Sequence, residues 1–406
     1  MKKNEYMSED SPYESIRIEA GTIEGVNIPC ILCFPKNAKG QQKLTVSINN
    51  EDGQTLEESM ENMERSLESA MKIFEFSSPV LVPILPSQAE FNKTLQSEGI
   101  DLTVGEPKQF AVECFSSKIP ETSRFYRIDE QVNTLITNII SNSKLKEKIQ
   151  ALRENGEQID FEDKVIGFGH SGAGAAMLRY SLLHPEILEK LIIGGNGDIV
   201  PTPVGENGTK LPYPFGIKGY EELLGREFNI EAFKKINFQF YIGDKEEIGN
   251  GKPYTSEQAK RFDTIRDENY EEGKTGNNFA PENLAKLYKQ LYGTPFFERF
   301  MNALKVYEEN GLNIGLKIYE DNCHLPITAE DLKVIISGER YFDSEASKQI
   351  AELLSKRREK QDDVLKSGVE ATEVGKVRDG VIDEQVDSIV QLAKGKDDKT
   401  KGTIKE

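Results

Sequence analysis

The sequence predicts an α/β fold: a mostly parallel central sheet with helices on both faces. Two observations carry that expectation. Short apolar runs of buried-strand length recur at 44–48, 80–85, 164–168, 191–193, 238–242 and 315–319, and helical patterns at 56–74, 129–140, 174–183 and 281–291 lie between many of them. Strands that alternate with helices imply right-handed crossovers and hence parallel pairing. Before the first of these runs, residues 15–20 and 26–34 alternate apolar with polar around a turn at Gly21, which reads as two antiparallel strands opening the sheet.

Length and charge bound the rest. A chain of 406 residues exceeds the usual single domain, but open α/β sheets with insertions reach this size as one unit. One domain over 1–340 with a tail over 341–406 is expected. Two stretches, about 200–235 and about 248–312, exceed a minimal repeat and are rich in Gly, Pro and Tyr or mixed polar and helical. Insertions of this kind sit at the carboxyl edge of the strands, where they can act as a cap or lid over a crevice. The formal charge of −18 excludes nucleic acid as the main partner, because a phosphate backbone would repel it. No run approaches the roughly 18 apolar residues of a membrane span. Four cysteines are too few for a disulfide framework, and the first residues lack the apolar core of an export signal, so a cytoplasmic setting is expected.

The densest chemical signal is the stretch 164–175, where an apolar strand enters Gly169-His170-Ser171-Gly172-Ala173-Gly174 and then a helix. A serine at a sharp strand-to-helix turn needs neighbours without bulk, and the N–H groups of the following helix point at a reacting oxygen. Ser171 is therefore the candidate nucleophile of an elbow, and the Gly172 N–H a candidate oxyanion donor. The usual second glycine of Gly-x-Ser-x-Gly is Ala173 here, and Gly174 follows one position later.

A serine nucleophile needs a base, and the chain holds three histidines, His170, His184 and His324. His170 is adjacent to Ser171, so its side chain should diverge from the serine. His184 ends the helix after the elbow, where a histidine favours the helix dipole. His324 follows the last apolar strand and is the expected base. An acid should follow the intervening strand 238–242, and the chain order serine, acid, histidine then suits the elbow. Glu246 is preferred, Asp244 is the alternative acid and Glu247 a third. Such an acid would fix the imidazole tautomer and stabilise the imidazolium. The loop after strand 44–48 should give a second oxyanion donor, for which Asn50 is the candidate.

Other motifs carry no chemistry. Cys30 and Cys33 are three apart on a strand, face opposite sides, and have no second pair to complete a zinc site. The glycines at 194, 195 and 197 follow a strand but lack the spacing of a dinucleotide loop. Beyond 341 the chain turns to Lys, Glu, Asp and Gln. Ile350, Leu353, Leu354, Val386, Ile389, Val390 and Leu392 trace two weak amphipathic helices in this charged, helical or partly disordered tail, which could serve self-association or docking.

Over about 16–335 the chain resembles α/β-hydrolases, in particular a subgroup of polyhydroxybutyrate depolymerases and bacterial esterases. The resemblance rests on the segments at 125–129, 169–174, 211–216, 220–225, 241–246 and 306–311. It implies an α/β-hydrolase fold and ester hydrolysis. Members look like Gly-Asp-Lys-Asp at the acid, so Glu246 stands where an aspartate is expected and Asp244 stays open. The expected activity is a serine hydrolase that cleaves a small-molecule or acyl ester through an acyl-enzyme on Ser171, without metal or organic cofactor. A peptidase or thioesterase with the same triad, and a hydrolase-like binding protein with an idle triad, are the alternatives.

Overall fold

The computed structural model describes residues 1–48, 55–100, 119–153, 157–195, 200–203, 211, 213, 215–243, 291–292, 296–320, 322, 326–339 and 341–342. The chain divides into two units, Met1–Lys348 and Gln349–Glu406, and every described residue belongs to the first.

In chain order the elements are β1 (Lys2–Lys3), β2 (Tyr13–Ile18), β3 (Cys30–Pro35), β4 (Gly40–Ser47), α1 (Leu56–Ile73), β5 (Val80–Pro83), α2 (Gln88–Ser97), α3 (Ile128–Ser141), α4 (Ser143–Leu152), β6 (Ile159–His170), α5 (Gly172–Leu183), β7 (Leu188–Gly194), α6 (Tyr220–Leu224), α7 (Ile230–Lys234), β8 (Asn237–Gly243), α8 (Phe296–Glu309), β9 (Ile314–Tyr319) and α9 (Ala329–Ser337). The nine strands form one sheet in the order β1-β2-β3-β5-β4-β6-β7-β8-β9. Strands β1 to β3 pair antiparallel, and β3 pairs antiparallel with β5; every pairing from β5 to β9 is parallel. The mostly parallel sheet with an antiparallel opening is therefore as the alternation of apolar runs predicts.

Each face of the sheet has its own helices. On one side Met60, Leu67 and Met71 of α1 and Leu332, Ile335 and Ile336 of α9 pack with Ile166 and Phe168 of β6, Ile192 of β7 and Tyr241 of β8. Residue Gly167, one position along from Ile166, faces the other way because strand side chains alternate. A Cβ there would lie 2.6 Å from Met177 of α5. On that second face Phe238 and Phe240 of β8 meet Tyr307 of α8 edge to face, at centroid distances of 5.4 and 5.9 Å.

The long helices have local causes. Helix α1 starts where the Thr55 hydroxyl accepts from the Glu58 N–H, carries Glu57 and Glu58 in its first turn and Lys72 in its last. Both charge placements suit the helix dipole. Its buried positions Met60, Glu64, Leu67 and Met71 follow a helical period. Buried Glu64 receives the guanidinium of Arg17 from β2.

The sheet order fixes where a site can form. The chain leaves β4 towards β5 on one side, whereas β6 leads to β7 on the other, so the crevice outside the carboxyl ends of β4 and β6 is a topological switch point. Ser171 follows the end of β6, and Ser47 at the end of β4 lies in register with Phe168.

Candidate active site

Ser171 sits between β6 and α5 with φ 58° and ψ −127°. For a residue with a Cβ this backbone costs of order 1–3 kcal/mol and persists only where the surroundings enforce it. Three contacts do so. The Ser171 N–H donates to the Gly194 carbonyl of β7 at 2.9 Å, and the Ser171 carbonyl accepts from Ala175 N–H at 3.1 Å. Gly169 allows the third, because a Cβ there would lie 2.6 Å from the Ala173 carbonyl oxygen and from the Gly174 nitrogen. The helix start thus presses directly against the strand end.

This close approach explains the altered motif. Ala173 is buried with its methyl tolerated, while the position that touches β6 and β7 is Gly174, whose Cβ would lie 3.2 Å from the Gly169 carbonyl and 3.3 Å from the Gly194 carbonyl. Gly172 is the first residue of α5. Its N–H is one of the four at a helix start without a helical partner, which suits it to an anion. The Ser171 side chain makes no capping bond to α5, so its hydroxyl is not consumed by its own helix. Both Ser171 and Gly172 are half-buried.

His170 lies on the face opposite α5, as adjacency to Ser171 predicts. Its Nδ1 is 3.2 Å from the Tyr241 hydroxyl, a hydrogen bond whose direction follows the His170 tautomer, and the two rings are parallel within 7°. Between them in the sheet stands Gly194, in register with both. A Cβ at Gly194 would fall 2.2 Å from the Tyr241 ring, so the glycine is what lets Tyr241 lean across β7 to His170.

His184 caps the end of α5, where the sequence places it, and its Nε2 lies 3.0 Å from Asp129 of α3. Arg127 grips both Asp129 oxygens at 2.8 and 2.6 Å and also donates to Glu130 at 2.9 Å. Burial alone would raise the Asp129 carboxyl, but the Arg127 guanidinium and His184 outweigh it and hold the group below the ordinary aspartate range. Arg127 adopts a left-handed backbone, φ 45° and ψ 60°, to do this. The ligand atoms of Asp129, Glu130 and His184 fall within 4.8 Å of one another, and the one Arg127 guanidinium bridges the two carboxylates. The cluster reads as a buried ion pair that fastens α3 to α5.

Of the predicted site residues, Ser171 and Gly172 are brought together at the elbow. Asn50, Asp244, Glu246, Glu247 and His324 lie outside the described residues, as do 204–210, 212 and 214 of the first insertion and 248–290 and 293–295 of the second. The strand ends that lead to them are described: β4 beside β6, β8 ending at Gly243, and β9 ending at Tyr319 in register with Gly243. Sequence reasoning missed Tyr241 and Gly194 as neighbours of the elbow. Their only signal was the glycine pair at 194 and 195, and its meaning depends on which strands lie side by side.

A mixed sheet in this order, with a strained serine between its central strand and the following helix, defines the α/β-hydrolase fold. No family model and no curated protein matches the chain. Among solved structures it is similar to a siderophore hydrolase from Aspergillus nidulans at 12% identity and a TM-score of 0.37, covering 81% of this chain and 94% of that one. It is likewise similar to an S-formylglutathione hydrolase from Agrobacterium tumefaciens at 10% identity and 0.35, covering 84% and 96%. An esterase B from Lactobacillus rhamnosis gives 10% identity and 0.33, covering 88% and 90%. Among the described residues no helix is long and apolar enough to cross a membrane.

Proposed function

We propose that the protein is a serine esterase that cleaves a carboxylic ester through an acyl-enzyme on Ser171. The observation that carries this reading is the backbone of Ser171, which holds an oxygen nucleophile in a costly conformation at the switch point, beside the N-terminus of α5. Strain of this kind is retained where function needs it.

In the proposed reaction His324 takes the Ser171 proton as the oxygen attacks the ester carbonyl. The Gly172 N–H, with a second N–H from the loop bearing Asn50, stabilises the oxyanion. Collapse expels the alcohol, which receives the proton from His324. Water, deprotonated by the same imidazole, then attacks the acyl-serine and releases the acid. Glu246, or Asp244 in its place, would orient His324. The stretches about 200–235 and 248–312 would cover the acyl group as a cap. The resemblance to polyhydroxybutyrate depolymerases and bacterial esterases suggests an ester as the substrate, with a peptidase or thioesterase as the alternatives. A reducing, cytoplasmic setting fits the buried free thiols of Cys30 and Cys33, and the charged tail is assigned to docking or self-association.

The test is labelling of the purified protein by a fluorophosphonate, with Ser171→Ala and His324→Ala alongside, followed by p-nitrophenyl esters of graded chain length. Labelling and turnover lost in both variants are expected. A folded parent that neither labels nor turns over would instead make the protein a hydrolase-like binding protein.

A further inference from the structure

We propose that Tyr241 and Tyr319 are positioning residues that tie the Ser171 elbow to both ends of the segment on which His324 lies. The inference rests on the reading of Ser171 and His324 given above.

The contacts form one continuous line. From the elbow, His170 meets the Tyr241 hydroxyl at 3.2 Å across Gly194. Tyr241 is in register with Lys317 of β9, so Tyr319, two residues further on, projects from the same face as its diagonal neighbour. The two tyrosine rings meet edge to face, with centroids 6.4 Å apart and planes at 70°. Tyr319 is the last residue of β9. Its hydroxyl donates to Asp331 of α9 at 2.8 Å and lies 3.5 Å from the Thr328 N–H. Burial first, and then the Asp331 carboxylate, push the Tyr319 hydroxyl well above the ordinary tyrosine range, so it stays a donor at neutral pH.

The far end of the segment is fastened to the same point. The Thr328 hydroxyl donates to Asp331 at 3.1 Å and accepts from the Asp331 N–H at 3.2 Å, a reciprocal cap at the start of α9. Ile327, 2% exposed, is buried in the same cluster as Tyr241. Tyr319, where the sheet ends, and Thr328, where α9 begins, therefore meet at Asp331. One aromatic pair sets the distance between that point and the elbow. Misplacement of catalytic groups by about 1 Å costs of order a hundredfold in rate, so a device that fixes this spacing acts on turnover more than on substrate binding.

The experiment compares the full-length parent with Tyr319→Phe, Tyr241→Phe and the double variant on a p-nitrophenyl ester and a fluorophosphonate, well below each measured Tm. Each phenylalanine keeps the ring and removes one hydroxyl. The expected result is a kcat at least tenfold lower for either single variant with KM within twofold, and a matching fall in labelling rate. The double variant should lose less than the product of the two, because both act along one line. A parent that labels at Ser171, with both single variants within twofold in kcat, would overturn the inference and leave the esterase reading intact. Changes in kcat, KM and Tm that track one another would overturn it too, as a purely structural effect. A parent without Ser171-dependent labelling would remove the esterase reading itself. Should Tyr319→Phe not fold, Tyr241→Phe decides by the same criteria.

Discussion

Replacing Gly169 and Gly174 by alanine, one at a time, separates the two glycines that allow the elbow. The Gly169 methyl would sit 2.6 Å from the Ala173 carbonyl oxygen and the Gly174 nitrogen. Both are backbone atoms at the start of α5, so relief requires that start to back away by roughly 0.8 Å to reach ordinary contact near 3.4 Å. Overpacking on that scale costs about 1–3 kcal/mol, and a shift approaching 1 Å at a nucleophile costs about a hundredfold in rate. The Gly174 methyl would meet its nearest neighbours at 3.2 and 3.3 Å, so a few tenths of an ångström suffice. Gly174 also lies inside α5, where alanine gains roughly 0.8–1 kcal/mol over glycine, so the two effects nearly cancel. The expected outcome is Gly169→Ala destabilised by ~2 kcal/mol in urea unfolding with labelling of Ser171 reduced by ~100-fold. Gly174→Ala should fall within about 1 kcal/mol and about threefold of the parent. Equal losses in the two variants would refute the geometry argued for the elbow.

Ser171→Gly should be about 1 kcal/mol more stable than Ser171→Ala although both are inert. Glycine relieves a strain of ~1–3 kcal/mol and gives back ~0.4–1 kcal/mol of unfolded-state entropy; paired denaturation curves check this. Arg127→Met should lower stability by ~3–5 kcal/mol, because it leaves the Asp129 carboxylate buried beside His184 alone. Since the folded Asp129 pKa lies below its unfolded value of about 3.9, its contribution is present above that pH and is lost as pH falls through the folded value. Acid unfolding of the parent should thus be steeper below about pH 4 than that of Asp129→Asn. Lys190 of β7 is buried, donates to the Ile335 carbonyl, and is pushed down to about 8 by burial. Its folded pKa lies below the unfolded value of about 10.4, so a penalty of ~3 kcal/mol stands below pH 8 and is relieved as pH rises through that interval. Lys190→Met forfeits the Tyr341 ring at 4.8 Å, worth ~1 kcal/mol, while Ile335 keeps the Gly338 N–H at 3.2 Å. The variant should gain about 2 kcal/mol at pH 7 and nothing near pH 10.5, and a loss independent of pH would refute this.

The elbow was legible because its causes are local: an apolar strand, a cluster of small residues, and a helix. Helix α1 was legible for the same reason, with its expected span of 56–74 found at Leu56–Ile73. Helices α2 and α4 were not anticipated. Both are short, and α4 buries only Leu145 and Ile149, too few apolar positions for periodicity to stand out. The run at 164–168 belongs to a longer strand, because Ile159 to Phe161 pair with Gly40 to Gln42 of β4 and the register shifts before Val165 pairs with Leu44. The partnership of His170 with Tyr241 is 71 residues long in sequence and lies across an intervening strand. No spacing rule reaches that far, since the strand order decides which residues are neighbours.

The two critical glycines next to the elbow act on opposite faces of the sheet. Gly169 lets the start of α5 close onto β6 from one side, and Gly194 lets Tyr241 lean across β7 from the other. Ala173 and Tyr241, which these glycines admit on the two sides, are both buried. The ~1–3 kcal/mol stored at the serine is offset by the 2.9 Å hydrogen bond to Gly194, worth ~1 kcal/mol, together with burial of neighbours such as Ala173, Ile192 and Ile193. Relaxing the turn would mean repacking both faces at once. On the proposed reading of Ser171 as nucleophile, that linkage would hold it in place before substrate arrives, and the strain would act as preorganisation towards a carbonyl and the α5 N–H groups.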